Sequence, residues 1–156
     1  MNPKPPARLL FLCTGNYYRS RFAEIYFNHL ARKRGLNWRA YSRGLKHAWS
    51  GNPGPMAPSA AIRLLGKGIF SWRFLRFPIR AVENDFDQAD QVVALKESEH
   101  RIFMIDHFDR WADTIQYWEI HDVDVDPPSK TLPILENRLE EYAQKLQTGS
   151  QIHSPN

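Results

Sequence analysis

The residues best suited to chemistry lie close to the N-terminus, where a cysteine and an arginine stand six positions apart. Cys13 is the only cysteine in the chain, Ser20 follows Arg19, and Gly15 and Asn16 lie between them. A planar guanidinium can grip two oxygens of a tetrahedral anion, and Gly and Asn accept the positive φ angles of a tight loop. The spacing predicts an anion-binding loop with Cys13 as a nucleophile beneath a bound phosphate and Ser20 donating its hydroxyl to the sulfur.

Two regular elements are expected to position that loop. Residues 9–12 form a continuous apolar run, typical of a strand buried on both faces, and residues 21–34 have apolar side chains at helical spacing up to Gly35. A loop that joins a strand to a helix N-terminus turns its N–H groups inward, and the helix dipole adds positive charge there. A lone cysteine at a strand end is also typical of a small buried core residue, but the neighbouring residue types favour the nucleophile. The predicted phosphate-binding residues are Thr14, Gly15, Asn16, Tyr17, Tyr18, Arg19 and Ser20.

Composition and length indicate one soluble domain. The 156 residues are 42% hydrophobic and 24% charged, and a single cysteine excludes an intramolecular disulfide framework and favours a reducing, cytoplasmic location. We expect a flexible arm over residues 1–7, one domain over 8–147 and a flexible tail over 148–156. The net charge of +4 suits an anionic substrate. No signal peptide, membrane span or nucleic-acid motif is recognisable, so neither a membrane nor a nucleic acid is expected as a partner.

The remaining chain alternates predicted strands and helices. Strands are predicted at 38–42, 90–95 and 115–120, and helices at 58–66, 84–89 with Asn84 as N-cap, 97–104 and 132–146. This alternation predicts a three-layer α/β/α sandwich with a four-stranded parallel sheet and the site at the carboxyl ends of the strands. The aromatic segment 70–79 has no clean period. We interpret it as core with arginine stems at its surface, rather than as a partner-binding patch or a surface amphipathic element.

The stretch 13–24, Cys-Thr-Gly-Asn-Tyr-Tyr-Arg-Ser-Arg-Phe-Ala-Glu, resembles the phosphate-binding signature of the low-molecular-weight protein tyrosine phosphatases. The resemblance runs from about Arg8 to Leu146. Tyr18 stands where the family often has a second cysteine, so the disulfide that can protect an oxidised nucleophile cannot form here. Leu95-Lys96 also replaces a Met-Asp pair of the family.

The resemblance extends to residues outside the loop. It implies that Ser42 helps to hold the phosphate loop by hydrogen bonds, although a plain turn serine is an equally good reading. It also implies that an aromatic residue after the second strand lines the substrate crevice, and Trp49 is the candidate, together with Tyr17. Packing of Trp49 back onto the core is the alternative.

Phosphate ester cleavage requires an acid that protonates the leaving group. The family uses an aspartate just after the fourth strand, usually in Asp-Pro followed by aromatics. Asp126-Pro127 matches that motif, whereas Asp122 matches the position because it directly follows the predicted strand. We favour Asp122 on strand-end geometry, with Asp126 as the alternative and Asp124 third. A solvated acidic loop is the non-catalytic reading, and the two expected aromatics are absent.

The resemblance implies a phosphomonoester hydrolase that forms a phosphocysteine at Cys13 and acts on phosphotyrosine proteins or small aryl phosphates. Phosphate, sulfate and vanadate would bind the same loop. No metal or other cofactor is expected, and the protein is expected to be a monomer or weak dimer. The alternatives are an inactive phospho-binding or scaffold protein of the same fold and, less favoured, an arsenate reductase, which would need an external thiol beside Cys13.

Overall fold

The computed structural model describes residues 2–46 and 51–149, and within these ranges four parallel strands form the centre of the molecule. They are β1 (Ala7–Cys13), β2 (Trp38–Gly44), β3 (Gln91–Ala94) and β4 (Gln116–Tyr117), in the spatial order β2-β1-β3-β4. β1 lies between two neighbours, which explains its unbroken run of buried apolar residues.

Five α-helices connect or flank the strands in the described ranges. They are α1 (Arg19–Arg34), α2 (Pro58–Gly66), α3 (Glu83–Asp87), α4 (Glu97–His107) and α5 (Pro128–Gln147), with short 3₁₀ turns at Trp72–Leu75 and Asp109–Trp111. Gly35 ends α1 with a φ of 65°, a left-handed conformation that glycine adopts without steric cost. None of these helices combines the length and the apolar character needed to cross a membrane.

Alternate side chains of β1 enter two separate cores. Leu9 and Phe11 pack in the core that also contains buried residues of α1, α2 and α5. Leu10 and Leu12 pack on the opposite face, with buried residues of α3 and α4. The expected α/β fold with a four-stranded parallel sheet and helices on both faces is therefore confirmed.

Several element boundaries differ from the sequence predictions. Asn84 is not the N-cap of α3: Val82 occupies that position, and the carboxylate of Asp85, inside the first turn, accepts the Val82 N–H at 2.9 Å. The fourth strand is shorter than the predicted 115–120 and continues only as an isolated bridge between Lys96 and Glu119. At the N-terminus, Ala7 already pairs with Trp38, so β1 begins within the residues expected to form a flexible arm.

The interpretation of segment 70–79 as core is wrong for most of its apolar residues. Four large side chains are 61–77% exposed, and only Phe74 of the aromatic residues packs against a core. The four exposed residues are Phe70, Trp72, Leu75 and Phe77. Arg73 and Arg76 instead turn inward, because the carboxylate of Glu24 is buried in α1 and requires ionic partners.

Candidate active site

The loop between β1 and α1 is folded tightly against the end of β2. Asn16 has a φ of 53°, the one non-glycine residue with a positive φ in the described ranges. Gly44 lies directly beneath the loop, and a Cβ at this position would stand 3.1 Å from backbone atoms of Thr14, Gly15 and Asn16. The lack of a side chain at the end of β2 therefore gives the loop room to approach so closely.

The fully buried side chain of Asn16 makes four hydrogen bonds that fix the loop. Its Nδ2 donates to Ser20 Oγ at 2.8 Å and to Ser42 Oγ at 2.9 Å. Its Oδ1 accepts from Ile79 N at 3.0 Å and from Arg76 Nη1 at 3.1 Å. Ser42 is thus in direct contact with the loop, as the resemblance implied, and segment 76–79 supplies the other side of the support.

Cys13 lies at the carboxyl end of β1 with its Sγ 2.9 Å from Ser20 Oγ. Because Ser20 already receives the Asn16 amide proton, its hydroxyl hydrogen is available for the sulfur. The carbonyl oxygens of loop residues 13, 14, 17 and 18 accept hydrogen bonds from backbone N–H groups further along the chain. Carbonyls that are bonded in this way do not compete with an anion for the centre of the loop.

The guanidinium of Arg19 is buried and meets two carboxylates. Its Nη2 lies 2.9 Å from Glu99 Oε1 and 3.1 Å from Asp122 Oδ2, and its Nη1 donates to the Ile120 carbonyl at 3.1 Å. Burial lowers the pKa of Arg19, but Cys13 and the two carboxylates outweigh that effect and raise it above its ordinary value. Arg19 is therefore a permanent cation.

Glu99 is held in turn by His100 and Thr14. Lys96 N–H donates to His100 Nδ1 at 3.1 Å, which assigns the ring proton of the neutral imidazole to Nε2. That nitrogen lies 3.1 Å from Thr14 Oγ1 and 3.4 Å from Glu99 Oε1, and the Thr14 hydroxyl also donates to Glu99. The hydrogen bond with His100, followed by those of Arg19 and Thr14, holds the pKa of Glu99 well below its usual range.

A second ionic cluster lies behind the loop. Glu24 Oε1 accepts from Ser42 Oγ at 2.8 Å and from Arg76 Nη2 at 3.0 Å, and its Oε2 is 3.1 Å from Arg73 Nε. Burial lowers the pKa of Arg76 below its ordinary value. Glu24 and Ser42, the other members of the cluster, are buried as well. Arg21, also fully buried, donates to the carbonyls of Pro55 and Arg73 and so joins residues 55 and 73.

A pocket of about 310 Å³ opens above Cys13. Tyr17, Tyr18, Ala57 and Val123 contribute to its walls. The Tyr17 hydroxyl donates to the Pro53 carbonyl at 2.6 Å, which places this ring beside the loop that contains Asn52 and Ala57. Burial, followed by the charge of Asp122, raises the pKa of Tyr18 to about 12, so its phenol remains neutral.

The three candidate aspartates occupy different positions. Asp122 lines the same pocket as Cys13 and Arg19. Asp126 instead lies 3.1 Å from Lys130 Nζ in the first turn of α5, and Asp124 is solvent-exposed. Of the three, Asp122 is therefore the one that lines the pocket above Cys13.

Trp49 lies outside the described residues. Glu99, His100 and Arg76, by contrast, contact the loop although none was singled out from the sequence, and Glu24 supports it indirectly through Ser42 and Arg76. For Glu99 and His100 a signal existed, since α4 starts at the carboxyl end of β3, and β3 is a neighbour of β1. Within the described ranges, no three histidine, cysteine or carboxylate side chains cluster in a way that could hold a metal ion.

Several solved structures share this architecture. YwlE from Bacillus subtilis, in a mutant form, is 27% identical with a TM-score of 0.76, and the match covers 90% of this chain and 99% of that one. A structure of the YwlE arginine phosphatase with a phosphorylated active-site serine is 25% identical with a TM-score of 0.76, covering 90% of this chain and 95% of that one. The low-molecular-weight protein tyrosine phosphatase of T. tengcongensis is 26% identical with a TM-score of 0.75, covering 89% and 99%.

A search of curated proteins gives no match. The model of the low molecular weight phosphotyrosine protein phosphatase family, however, matches residues 8–151, nearly the whole chain. That range begins at β1 and includes the loop, both ionic clusters and α5. The family and the fold together support a cysteine-based phosphatase. The chain belongs to the low molecular weight phosphotyrosine protein phosphatase family.

Proposed function

We propose that the protein hydrolyses phosphomonoesters through a phosphocysteine formed at Cys13. The observation that carries this proposal is the convergence of Cys13, Arg19 and Asp122 on one pocket. The pocket then holds a nucleophile, a cation for the phosphoryl oxygens and a carboxyl group for the leaving group. The N–H groups of residues 14–19 bind the equatorial oxygens, which agrees with the outward direction of the loop carbonyls.

The reaction proceeds in two displacements. In the first, the Cys13 thiolate attacks phosphorus, the P–O ester bond breaks, and Asp122 gives its proton to the departing oxygen. In the second, water attacks the phosphocysteine, Asp122 takes the proton from that water, and the P–S bond breaks to release inorganic phosphate and the thiolate. The Ser20 hydroxyl stabilises the thiolate before attack and after release, because its Oγ lies 2.9 Å from Sγ.

Substrate binding requires an exchange of anions at Arg19. In the free protein its Nη2 contacts Asp122 at 3.1 Å, whereas a bound phosphate needs the same planar fork. The phosphate replaces Asp122, whose side chain is 35% exposed and free to turn toward the leaving group. Glu99 accepts from Nη1 at 3.3 Å and from Nη2 at 2.9 Å, and it keeps the guanidinium in its orientation.

We propose phosphotyrosine or a small aryl phosphate as the substrate, since Tyr17, Ala57 and Val123 give the pocket apolar walls on which a ring can pack. The similarity to YwlE, described as an arginine phosphatase, makes phosphoarginine the competing substrate. The guanidinium group of phosphoarginine would interact with Asp122 rather than with the apolar walls. Direct comparison of phosphotyrosine and phosphoarginine peptides therefore separates the two classes.

A second candidate function is phosphate-dependent binding without turnover. It is favoured by the two carboxylates that occupy Arg19 and by the absence of aromatic residues after Asp122 or Asp126. Such a protein would bind a phosphorylated partner and retain it. Arsenate reduction is less favoured, because the chain has one cysteine and would depend on an external thiol to accept the oxidising equivalent.

The decisive experiment is hydrolysis of p-nitrophenyl phosphate in the presence of a reductant, at mildly acidic and at neutral pH. We expect turnover by the wild type, none by Cys13→Ser, and a loss of about 10²-fold or more in Asp122→Asn. Asp126→Asn is the matched control and should retain most of the activity, because Asp126 is bound by Lys130 outside the pocket. If the wild type shows no turnover but still binds vanadate or tungstate, phosphate-dependent binding is the function and hydrolysis is not.

A further inference from the structure

The two halves of the chain carry opposite charge. Residues 1–82 contain 15 lysine and arginine residues and a single acidic residue, Glu24, whereas residues 83–156 contain 6 basic and 16 acidic residues. In the sheet, β2 and β1 come from the basic part of the chain and β3 and β4 from the acidic part, although α5 packs in one core with α1 and its Glu136 pairs with Arg63 and Lys67. The β2 edge of the sheet is therefore formed by the basic part of the chain and the β4 edge by the acidic part.

The exposed apolar strip formed by Phe70, Trp72, Leu75 and Phe77 lies at the basic edge. Its chain continues into a backbone bridge between Arg80 and Gly44, the last residue of β2. Four such side chains expose on the order of 500 Å², about the size of the largest apolar patch on an ordinary monomer. Each is 61–77% exposed, so these side chains protrude from the surface.

A basic cleft of about 510 Å³ adjoins the strip at Trp72. Lys4, Arg32, Arg39 and Arg73 line it together with Trp38 and Trp72, and no acidic side chain of the described residues does so. Lys4, Arg32 and Arg39 are exposed, and Arg73 is bound to Glu24. The cleft therefore offers three free cations next to an indole ring.

We propose that this edge of the molecule docks on an anionic lipid bilayer. The exposed aromatic and leucine side chains of the strip enter the interfacial region, where rings with an apolar body are most favourable. Lys4, Arg32 and Arg39 contact the headgroup phosphates and carboxylates, and the β4 edge of the sheet, formed by the acidic part of the chain, is directed away from the surface. Protruding side chains surrounded by positive charge suit a bilayer better than a protein partner, whose strongest contacts form in closed pockets.

Docking at this edge would leave the strip joined to the catalytic loop. Arg76 donates to Asn16, Ile79 N–H donates to the same side chain, and Arg21 joins the carbonyls of Arg73 and Pro55. The segment that enters the bilayer is thus joined to the pocket through direct, part-buried hydrogen bonds. A docked molecule would hold its pocket at a fixed height above the membrane.

The test is co-sedimentation of the full chain with vesicles of phosphatidylcholine containing about one-third phosphatidylserine, against pure phosphatidylcholine. We expect binding only to the anionic vesicles and a loss of binding as salt is raised toward 1 M. The double variant Trp72→Ser, Phe77→Ser should weaken binding by about tenfold or more. The matched control Ile102→Ser, Ile105→Ser alters exposed apolar residues of α4 on the acidic half and should bind like the wild type.

Hydrolysis of p-nitrophenyl phosphate and the urea unfolding midpoint show whether each variant is folded, independently of the vesicles. Equal binding to both vesicle types, or equal loss in the two double variants, would overturn the proposal. Sedimentation velocity without lipid tests whether a second copy of the chain covers the strip instead of a bilayer. A wild-type dimer that Trp72→Ser, Phe77→Ser dissociates, with no vesicle binding, would make the strip an interface between copies.

Discussion

The two ionic clusters on either side of the phosphate loop differ in their access to solvent. On the pocket side, Arg19 contacts Glu99 and Asp122, whose side chains are 28% and 35% exposed. Behind the loop, Glu24 is 2% exposed and contacts two arginines that are largely buried. A partly exposed carboxylate can leave its partner when another anion arrives, whereas a buried one cannot do so without a large desolvation cost. The first cluster is therefore suited to ligand exchange and the second to holding the loop.

The largest expected effect concerns the cation of the exchangeable cluster. Replacing Arg19 by lysine keeps the charge and removes the planar fork, so kcat/KM for p-nitrophenyl phosphate should fall by about 10³-fold. Steady-state kinetics gives the loss, and urea unfolding shows whether the variant is folded. A loss below about tenfold would mean that the fork does not hold the phosphoryl oxygens in the transition state.

The next effect concerns the buried cluster. Glu24→Gln leaves Arg73 and Arg76 without their carboxylate and should lower the free energy of unfolding by about 3 kcal/mol. Glu97→Gln is the control, because Glu97 pairs with Arg101 at the surface and its loss should cost less than about 0.5 kcal/mol. Urea denaturation of both variants checks the difference. Equal losses of unfolding free energy in the two variants would show that burial does not increase the contribution of the second cluster to stability.

A smaller effect is a change of stability with pH that comes from His100. Burial lowers the pKa of His100 from its ordinary 6.5, so the unfolded chain takes up a proton near that pH that the folded protein does not. This contribution to stability is complete above about pH 6.5 and is lost as pH falls toward the folded pKa, by at most about 1.4 kcal/mol per pH unit. Urea unfolding between pH 7 and 5 should show this slope in the wild type and in His107→Asn, an exposed control. The slope should be weaker in His100→Asn.

The smallest expected effect is on affinity for the anion. Glu99→Gln removes a negative charge beside Arg19, so the inhibition constant for inorganic phosphate should fall by about fivefold through reduced repulsion. Competitive inhibition of p-nitrophenyl phosphate hydrolysis at neutral pH measures it, with Glu97→Gln again as control. An inhibition constant that rises would show that Glu99 serves mainly to orient Arg19.

Local sequence signals predicted the front of the site well. The strand, the loop and α1 are contiguous, and Gly35 ends the helix where its residue type suggests. The partners of the loop could not be read in this way, since Arg19 meets Glu99 across 80 positions and Asn16 meets Arg76 across 60. Neither pair produces a periodic pattern, and only the tertiary fold joins them.

Segment 70–79 shows a different limit of sequence reasoning. Aromatic residues are usually interior and arginines exterior, yet here Trp72 is exposed and Arg76 lies inside. The inversion depends on Glu24, a buried acid in another element that attracts both arginines. The start of α3 shows the same limit, because Asn84 is a good capping residue by type, yet the helix begins at Glu83 with Val82 as its N-cap.

The strand order has a consequence for the way in which the chain folds. β1 carries the nucleophile at its end, but its second neighbour, β3, begins at Gln91, and the N–H of Arg8 meets Asp90 across 82 positions. Closing such long loops is slow, and a growing chain leaves one edge of β1 unpaired until β3 has been made. Glu99 and Asp122 are synthesised later still. The catalytic pocket is therefore among the last parts to assemble, and until then the nascent chain presents a bare edge of β1, which favours aggregation.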